Sequence, residues 1–172
     1  MKLLGIDASR YQGVQGMSFT RFQDLDDAGV RWGVFRASIG TSLDDSFATN
    51  LNRAEKQGWP AAGYHYLVPN VPAADQAKTF ATRLGKDVCG WLDVEQSGLI
   101  RKHVLDFVRA FRDIKGEHFL GVYTSRFKWH SITGNMDGAD LFDGLWNAYW
   151  TERGANGPED LPARAPAPRY GG

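Results

Sequence analysis

Asp93 and Glu95 stand two residues apart in the segment Gly90-Trp91-Leu92-Asp93-Val94-Glu95. Leu92 and Val94 alternate with them at the period of a strand, so both carboxylates leave the backbone on one side, roughly 7 Å apart along it. Two acids so placed repel each other when both are ionised. One then holds its proton near neutral pH, which is what a general acid requires. Taken alone, a D-x-E segment more often describes wet carboxylates where a strand meets a loop, so its surroundings must decide. Asp7 closes a second short apolar run, Gly5-Ile6-Asp7. Glycoside cleavage needs a protonated acid at the leaving oxygen and a negative group beside the oxocarbenium-like centre, and these three carboxylates can supply both. Tyr11, Tyr64, Tyr66, Tyr123, Trp146, Tyr149 and Trp150 recur near the same strand ends, offering the flat faces and polar edges against which sugars lie.

Other chemistries lack their residues. His65, His103, His118 and His130 show no H-x-x-H or H-E-x-x-H spacing, and a single cysteine cannot build a thiolate site, so no metal is expected. No G-x-S-x-G elbow presents a serine nucleophile. Cys89 precedes its strand and is expected to be a small buried apolar residue. No other cofactor is implied.

The elements that must position the acids repeat. Glycine precedes short apolar or aromatic strands at Gly5, Gly33, Gly63, Gly90, Gly121 and Gly144. With Asp7, Arg36, His65, Asp93, Tyr123 and Ala148 as markers, the steps are 29, 29, 28, 30 and 25 residues, the length of a β-α unit. Helical patterns fill the intervals. Ser18 caps a helix with Phe19, Phe22 and Leu25 on one face, and Asp45 or Ser46 caps one with Phe47, Leu51 and Ala54. Ala73 to Leu84 follows Pro72 with Ala77, Phe80, Ala81 and Leu84 aligned. Leu99 to Ile114 carries a stripe of Ile100, Val104, Phe107, Val108, Phe111 and Ile114. Ser125 to Ile132 gives a weaker, shorter helical signal, and Thr133 to Gly138 reads as loop.

Alternating β and α elements imply a parallel sheet, open or closed. No G-x-G-x-x-G or G-x-x-x-x-G-K-[ST] loop follows a strand, and polar residues gather at strand C-terminal ends, where barrel active sites are built. The fold expected is an irregular, TIM-like β/α barrel. Six strands are counted to residue 150, and Ala155 to Gly172, rich in Pro, Gly, Ala and Arg, stops as a seventh would begin. The barrel is therefore expected to be incomplete at its C-terminus, with exposed edges that another chain or a missing C-terminal segment would pair.

The chain of 172 residues suits one domain, with residues 151–172 an irregular tail. Hydrophobic residues at 42% and aromatics at 13% fit an aromatic-rich globular core. Lys plus Arg equals Asp plus Glu at 20 each, so no global field draws the chain to nucleic acid. No apolar run approaches the ~20 residues needed for membrane insertion. The N-terminus lacks the succession of a signal peptide, so synthesis in the cytoplasm is expected.

Gly5-Ile6-Asp7-Ala8-Ser9-Arg10-Tyr11-Gln12-Gly13 resembles the opening G-I-D-x-S-x-Y-Q-G of glycoside hydrolase family 25, the Chalaropsis-type lysozymes of fungi, bacteria and many phage endolysins. The resemblance continues in order through Phe35-Arg36-Ala37-Ser38, Asp45-x-Phe47-x-x-Asn50, Gly63-Tyr64-His65-Tyr66, Leu92-Asp93-Val94-Glu95, Val122-Tyr123-Thr124-Ser125 and Leu145-Trp146-x-Ala148-Tyr149, covering about residues 3 to 150. It implies about five β-α units followed by extra strands. It also implies N-acetylmuramidase action on bacterial cell-wall peptidoglycan, at the β-1,4 bond from N-acetylmuramic acid to N-acetylglucosamine. The protein would then act on the wall after release by phage, within a virion, or by another export route. Carried over, Glu95 is the general acid with its pKa raised by Asp93 and the cleft. Asp93 orients Glu95 or positions the substrate's acetamide as nucleophile. Asp7 binds substrate, stabilises charge or attacks directly. Tyr64, Tyr66, Tyr123, Trp146, Tyr11 and Arg36 would bind substrate. The family's later W-Q-Y strand and final active-site aspartate have no counterpart here, and Asn147 replaces a usual aliphatic residue. Two outcomes are open: a barrel completed by a further segment or chain, or a catalytically impaired glycan-binding or structural module of a phage or wall-associated assembly.

Overall fold

The computed structural model describes residues 4–148. Tyr149, Trp150 and the tail 151–172 lie outside the described residues. The elements run β1 (Leu4–Ala8), a single 3-10 turn (Arg10–Gln12), α1 (Phe19–Asp27), β2 (Val30–Ile39), β3 (Ser42–Leu43), α2 (Phe47–Lys56), β4 (Ala61–Tyr66), α3 (Ala73–Arg83), β5 (Gly90–Asp93), α4 (Arg101–Lys115), β6 (Leu120–Thr124), α5 (Arg126–Thr133) and β7 (Gly144–Asn147). The main path of the sheet is β1-β2-β4-β5-β6-β7, every pairing along it parallel, with β3 a short antiparallel addition to β2. This order never reverses. A doubly wound sheet reverses at a switch point, whereas winding in one direction curls the sheet towards a barrel.

The curl is visible in the tryptophans. Trp32 on β2 meets Trp146 on β7 edge to face at 5.7 Å, and Trp91 on β5 meets the same ring at 6.0 Å. Residues four strands apart along the sheet path thus touch across its concave face. The repeated glycines follow from this crowding. A Cβ at Gly5 would fall 2.0 Å from the Trp32 ring, and one at Gly121 would fall 2.4 Å from Trp91. On the convex face a Cβ at Gly63 would meet Leu84 at 2.8 Å and Phe47 at 2.9 Å. Glycine is present at these positions early in the strands because bulky side chains lie against the backbone there.

The convex face carries the main core. Phe35, Phe47, Leu84, Phe80, Phe107, Phe111, Leu92 and Leu120 are buried between sheet and helices, and α3 packs along α4. His65 lies within this layer. Its Nδ1 meets Ser38 Oγ at 2.8 Å and its Nε2 meets Gln76 Oε1 at 3.2 Å. Burial lowers its pKa to about 4, so it is a neutral core group.

Several local expectations are corrected. The α4 stripe is Val104, Phe107, Val108 and Phe111; Ile100, at the N-cap before the first turn, and Ile114, in the last turn, are 54% and 51% exposed. Phe19 is likewise exposed while Phe22 is buried. Ser46 makes no side-chain cap for α2; Asp44 accepts from its backbone N–H instead. Cys89 is exposed, on the rim of an apolar pocket of about 500 Å3 that also includes Trp32, Trp91 and Phe119. It precedes β5 and so never enters the core. The weaker helical signal over Ser125 to Ile132 is borne out as α5, capped by Ser125 through a bond from Lys128 N at 3.2 Å and ended by Gly134 in the left-handed region. Fully buried Trp129 anchors it by donating to the Met136 carbonyl. β3 has no counterpart in the sequence reading. Among the described residues no helix is long and apolar enough to cross a membrane, and no group of histidines, cysteines and acids is placed to hold a metal.

Candidate active site

Parallel pairing fixes which side chains share a level. Arg36 pairs with Tyr64, Tyr64 with Trp91 and Trp91 with Gly121. Two residues further on, Tyr66 pairs with Asp93, Asp93 with Tyr123 and Tyr123 with Trp146. Since alternate residues share a face, this second row forms the floor at the C-terminal ends of the strands. A cleft of about 340 Å3 opens there, lined by Asp7, Tyr11, Arg36, Tyr64, Tyr66, Asp93, Glu95, Tyr123 and Trp146, with Ser9 and Gln12 beside them. Every site residue expected from the sequence, bar Tyr149 and Trp150, therefore lies in one cleft.

β5 ends at Asp93, so Glu95 needs another support. Val94 provides it. Its N–H donates to the Tyr123 carbonyl at 2.9 Å, its carbonyl accepts from Thr124 Oγ1 at 2.8 Å, and its side chain is fully buried. The peptide between the two acids is thus pinned to β6, and both carboxylates turn into the cleft.

Their environments differ. Asp93 is 6% exposed, and its Oδ1 has no hydrogen-bond partner among the described residues. Burial is the main force raising its pKa, Glu95 and Asp7 add to it, Arg36 opposes, and it reaches about 8. Glu95 is half-buried. Burial raises it, the ammonium of Lys128 pulls it down, and Asp7 pushes it up. The larger perturbation therefore falls on Asp93, opposite to the emphasis implied by the family resemblance, because Asp93 is the deeper of the two. Asp7, at the mouth, is raised by partial burial alone. Burial also raises the phenols of Tyr64, Tyr66 and Tyr123, so all three remain hydrogen-bond donors.

Arg36 is held from behind. Its Nε donates to Asp44 Oδ2 at 2.8 Å in a buried pair, and the Tyr11 ring lies over the guanidinium at 5.0 Å. Asp44 also accepts from Arg10 N at 3.1 Å and from the Ser46 N–H and hydroxyl. Burial would push its pKa up, but the bonds from Ser46, Arg10 and Arg36 outweigh this and hold it below the usual range. Ser9 tightens the turn that carries Tyr11, accepting from Tyr11 N while its own N–H donates to Gln12 Oε1 at 2.8 Å. Sequence reasoning missed Asp44, whose acid was indistinguishable from a cap in Leu43-Asp44-Asp45-Ser46. It also missed Lys128, on the one helix whose signal was weak.

The profile of "Glycosyl hydrolases family 25" matches residues 6–164. Lysozyme M1 of Streptomyces globisporus is 28% identical over 182 residues, covering 92% of this chain and 58% of its own length. The chain thus spans little more than half of the curated relatives it matches. Among solved structures, the muramidase from Trichobolus zukalii aligns with a TM-score of 0.72 at 25% identity, over 90% of this chain and 81% of that one. The bacterial lysozyme from Streptomyces coelicolor aligns at 0.69 and 23% identity, over 88% and 76%, and supports the fold. With an ordered profile match over most of its length and a curled parallel sheet shared with these structures, the chain belongs to glycosyl hydrolases family 25.

Proposed function

We propose that the protein is a peptidoglycan hydrolase, an N-acetylmuramidase that cleaves the β-1,4 bond between N-acetylmuramic acid and N-acetylglucosamine. The observation that carries this reading is the convergence of Asp7, Asp93 and Glu95 on one aromatic-walled cleft at the strand C-termini. The lysozyme and muramidase names of its relatives agree with it.

Glu95 is the general acid: it stands at the more open side of the pair, where a glycosidic oxygen can reach it. As its proton moves to that oxygen, the bond to C1 breaks and the acetamide carbonyl oxygen of the same sugar bonds to C1. Asp93, as carboxylate, holds the acetamide N–H, and Asp7 stabilises the positive charge. Water then attacks C1, giving its proton to the Glu95 carboxylate, and the acetamide is released. In the free protein the deeper Asp93 takes the first proton. An arriving N–H donor stabilises its ionised form, and exclusion of water by the sugar raises Glu95, so substrate binding moves the proton to the residue that must donate it. The Tyr64, Tyr66 and Tyr123 hydroxyls and the Trp146 face orient the ring.

The test is the identity of the new ends. Purified peptidoglycan digested with the protein and reduced with borohydride should yield muramitol. Glucosaminitol would assign the other glycosidic bond, and binding of glycan without any new end would favour the glycan-binding module.

A further inference from the structure

Beyond Glu95 the cleft opens into a second pocket of about 770 Å3, which shares Tyr11, Arg36, Tyr66 and Glu95 with it and adds Ile39, Gln96, Ser97 and Lys128. Its charged groups differ in how tightly they are held. Arg36 is already matched by buried Asp44. Lys128, on the first turn of α5 facing Glu95, makes no salt bridge among the described residues. Arg36 Nη2, buried in the wall, also lacks a partner there. The half-buried Lys128 side chain, the Gln96 amide and the Ser97 hydroxyl line one pocket with Arg36, whose unsatisfied Nη2 lies just beneath the surface, a donor-rich lining that an anionic acceptor would complete.

We propose that this pocket is a carboxylate subsite, with Lys128 as the counter-ion that selects glycan strands carrying acidic appended groups over neutral ones. The inference rests on the muramidase reading above, which supplies a substrate with two sources of that chemistry. One is the lactyl carboxylate of peptide-free strands, and the other is the carboxylates of the stem peptide. Occupancy also feeds back on the acid. Glu95 is faced by Asp7 from β1, Arg36 from β2, Tyr66 from β4, Asp93 from β5, Tyr123 from β6 and Lys128 from α5. Among the resolved electrostatic influences on Glu95, Lys128 is the one that favours its ionised form. A carboxylate paired with Lys128 cancels that pull, so Glu95 holds its proton to higher pH when a charged strand is bound.

Three strand preparations test this: peptide-free with lactyl carboxylates, peptide-free with those groups converted to methylamides, and peptide-bearing. The protein should cleave at least one acidic preparation with kcat/KM about fivefold above the methylamide strand, the upper range for a partly exposed ion pair. Whichever acidic preparation is favoured identifies the source. Lys128→Met should bring the ratio close to one while Lys128→Arg retains it. The alkaline limb of kcat on the methylamide strand should move to higher pH in Lys128→Met, a change that loss of a merely structural lysine would not produce. Calorimetric binding of the same strands to Glu95→Gln reads the preference without turnover, so a chain that fails to cleave anything still tests the subsite. Equal affinity of the unsubstituted Lys128 form for acidic and methylamide strands would overturn the proposal and leave the muramidase reading intact.

Discussion

Thr124 Oγ1 donates a hydrogen bond to the carbonyl of Val94 at 2.8 Å, tying the peptide between Asp93 and Glu95 to the end of β6. Both residues are fully buried. One neutral bond from the neighbouring strand therefore helps to set the direction of two acids that the D-x-E spacing alone leaves at a strand's frayed end.

Thr124→Val keeps the shape and removes the donor. Leaving the buried carbonyl underpaired costs about 1–3 kcal/mol. The measurable signature is a drop in kcat larger than any rise in KM, because the acid is misdirected while the aromatic walls remain. Urea denaturation and steady-state kinetics on solubilised wall read the two effects separately.

Asp93 gives a pH dependence of definite sign. Its folded pKa, about 8, lies above the ordinary carboxyl value of 3.8. The folded state therefore binds more protons than the unfolded chain between these values. Stability linked to this group is fully present below about pH 4 and is lost as pH rises towards 8. Asp93→Asn should flatten the fall of Tm over that window and be the more stable form at pH 8, while losing activity. An unchanged Tm profile would remove Asp93 as the buried proton site.

The buried pair behind the cleft predicts a different outcome. Asp44→Ala strips the partner from Arg36 Nε and releases Arg10 N and Ser46. Loss of one member of a buried ion pair costs about 3–5 kcal/mol. Chemical denaturation should show that loss, and Asp44→Asn, which keeps acceptor oxygen, should recover part of it.

Gly121→Ala tests the crowding of the concave face. The added methyl lies 2.4 Å from Trp91, and overpacking of this kind costs about 1–3 kcal/mol. A Tm reduction is expected for Gly121→Ala and a smaller one for Gly134→Ala, where no atom lies within 4 Å of the new Cβ and the strain is that of the positive φ alone.

The residues that sequence alone exposed share a physical character. Glycines recur because bulky side chains lie against the backbone in the first half of the strands, and the acids and aromatics recur because the parallel strands point their C-termini at one cleft. Local periodicity carries both signals. Asp44 and Lys128 escaped because their roles arise from pairing over distance: Asp44 meets Arg36 eight residues back and Arg10 thirty-four back, and Lys128 reaches Glu95 only once α5 folds over β6. Ile100, Ile114 and Phe19 fit a helical stripe equally well whether or not the sheet extends beneath them. The depth difference between Asp93 and Glu95 was likewise hidden, since a two-residue alternation places both on one face and says nothing of where the strand ends.

The central claim is that Glu95 donates the proton that breaks the glycosidic bond. New reducing ends released from purified peptidoglycan, measured for the unsubstituted protein and for Glu95→Gln with the fold of each verified by circular dichroism, test it most directly. Steady release is expected from the former and a loss of about 10²–10⁴-fold or more in the latter at unchanged thermal stability. Equal release by a folded Glu95→Gln variant would contradict it.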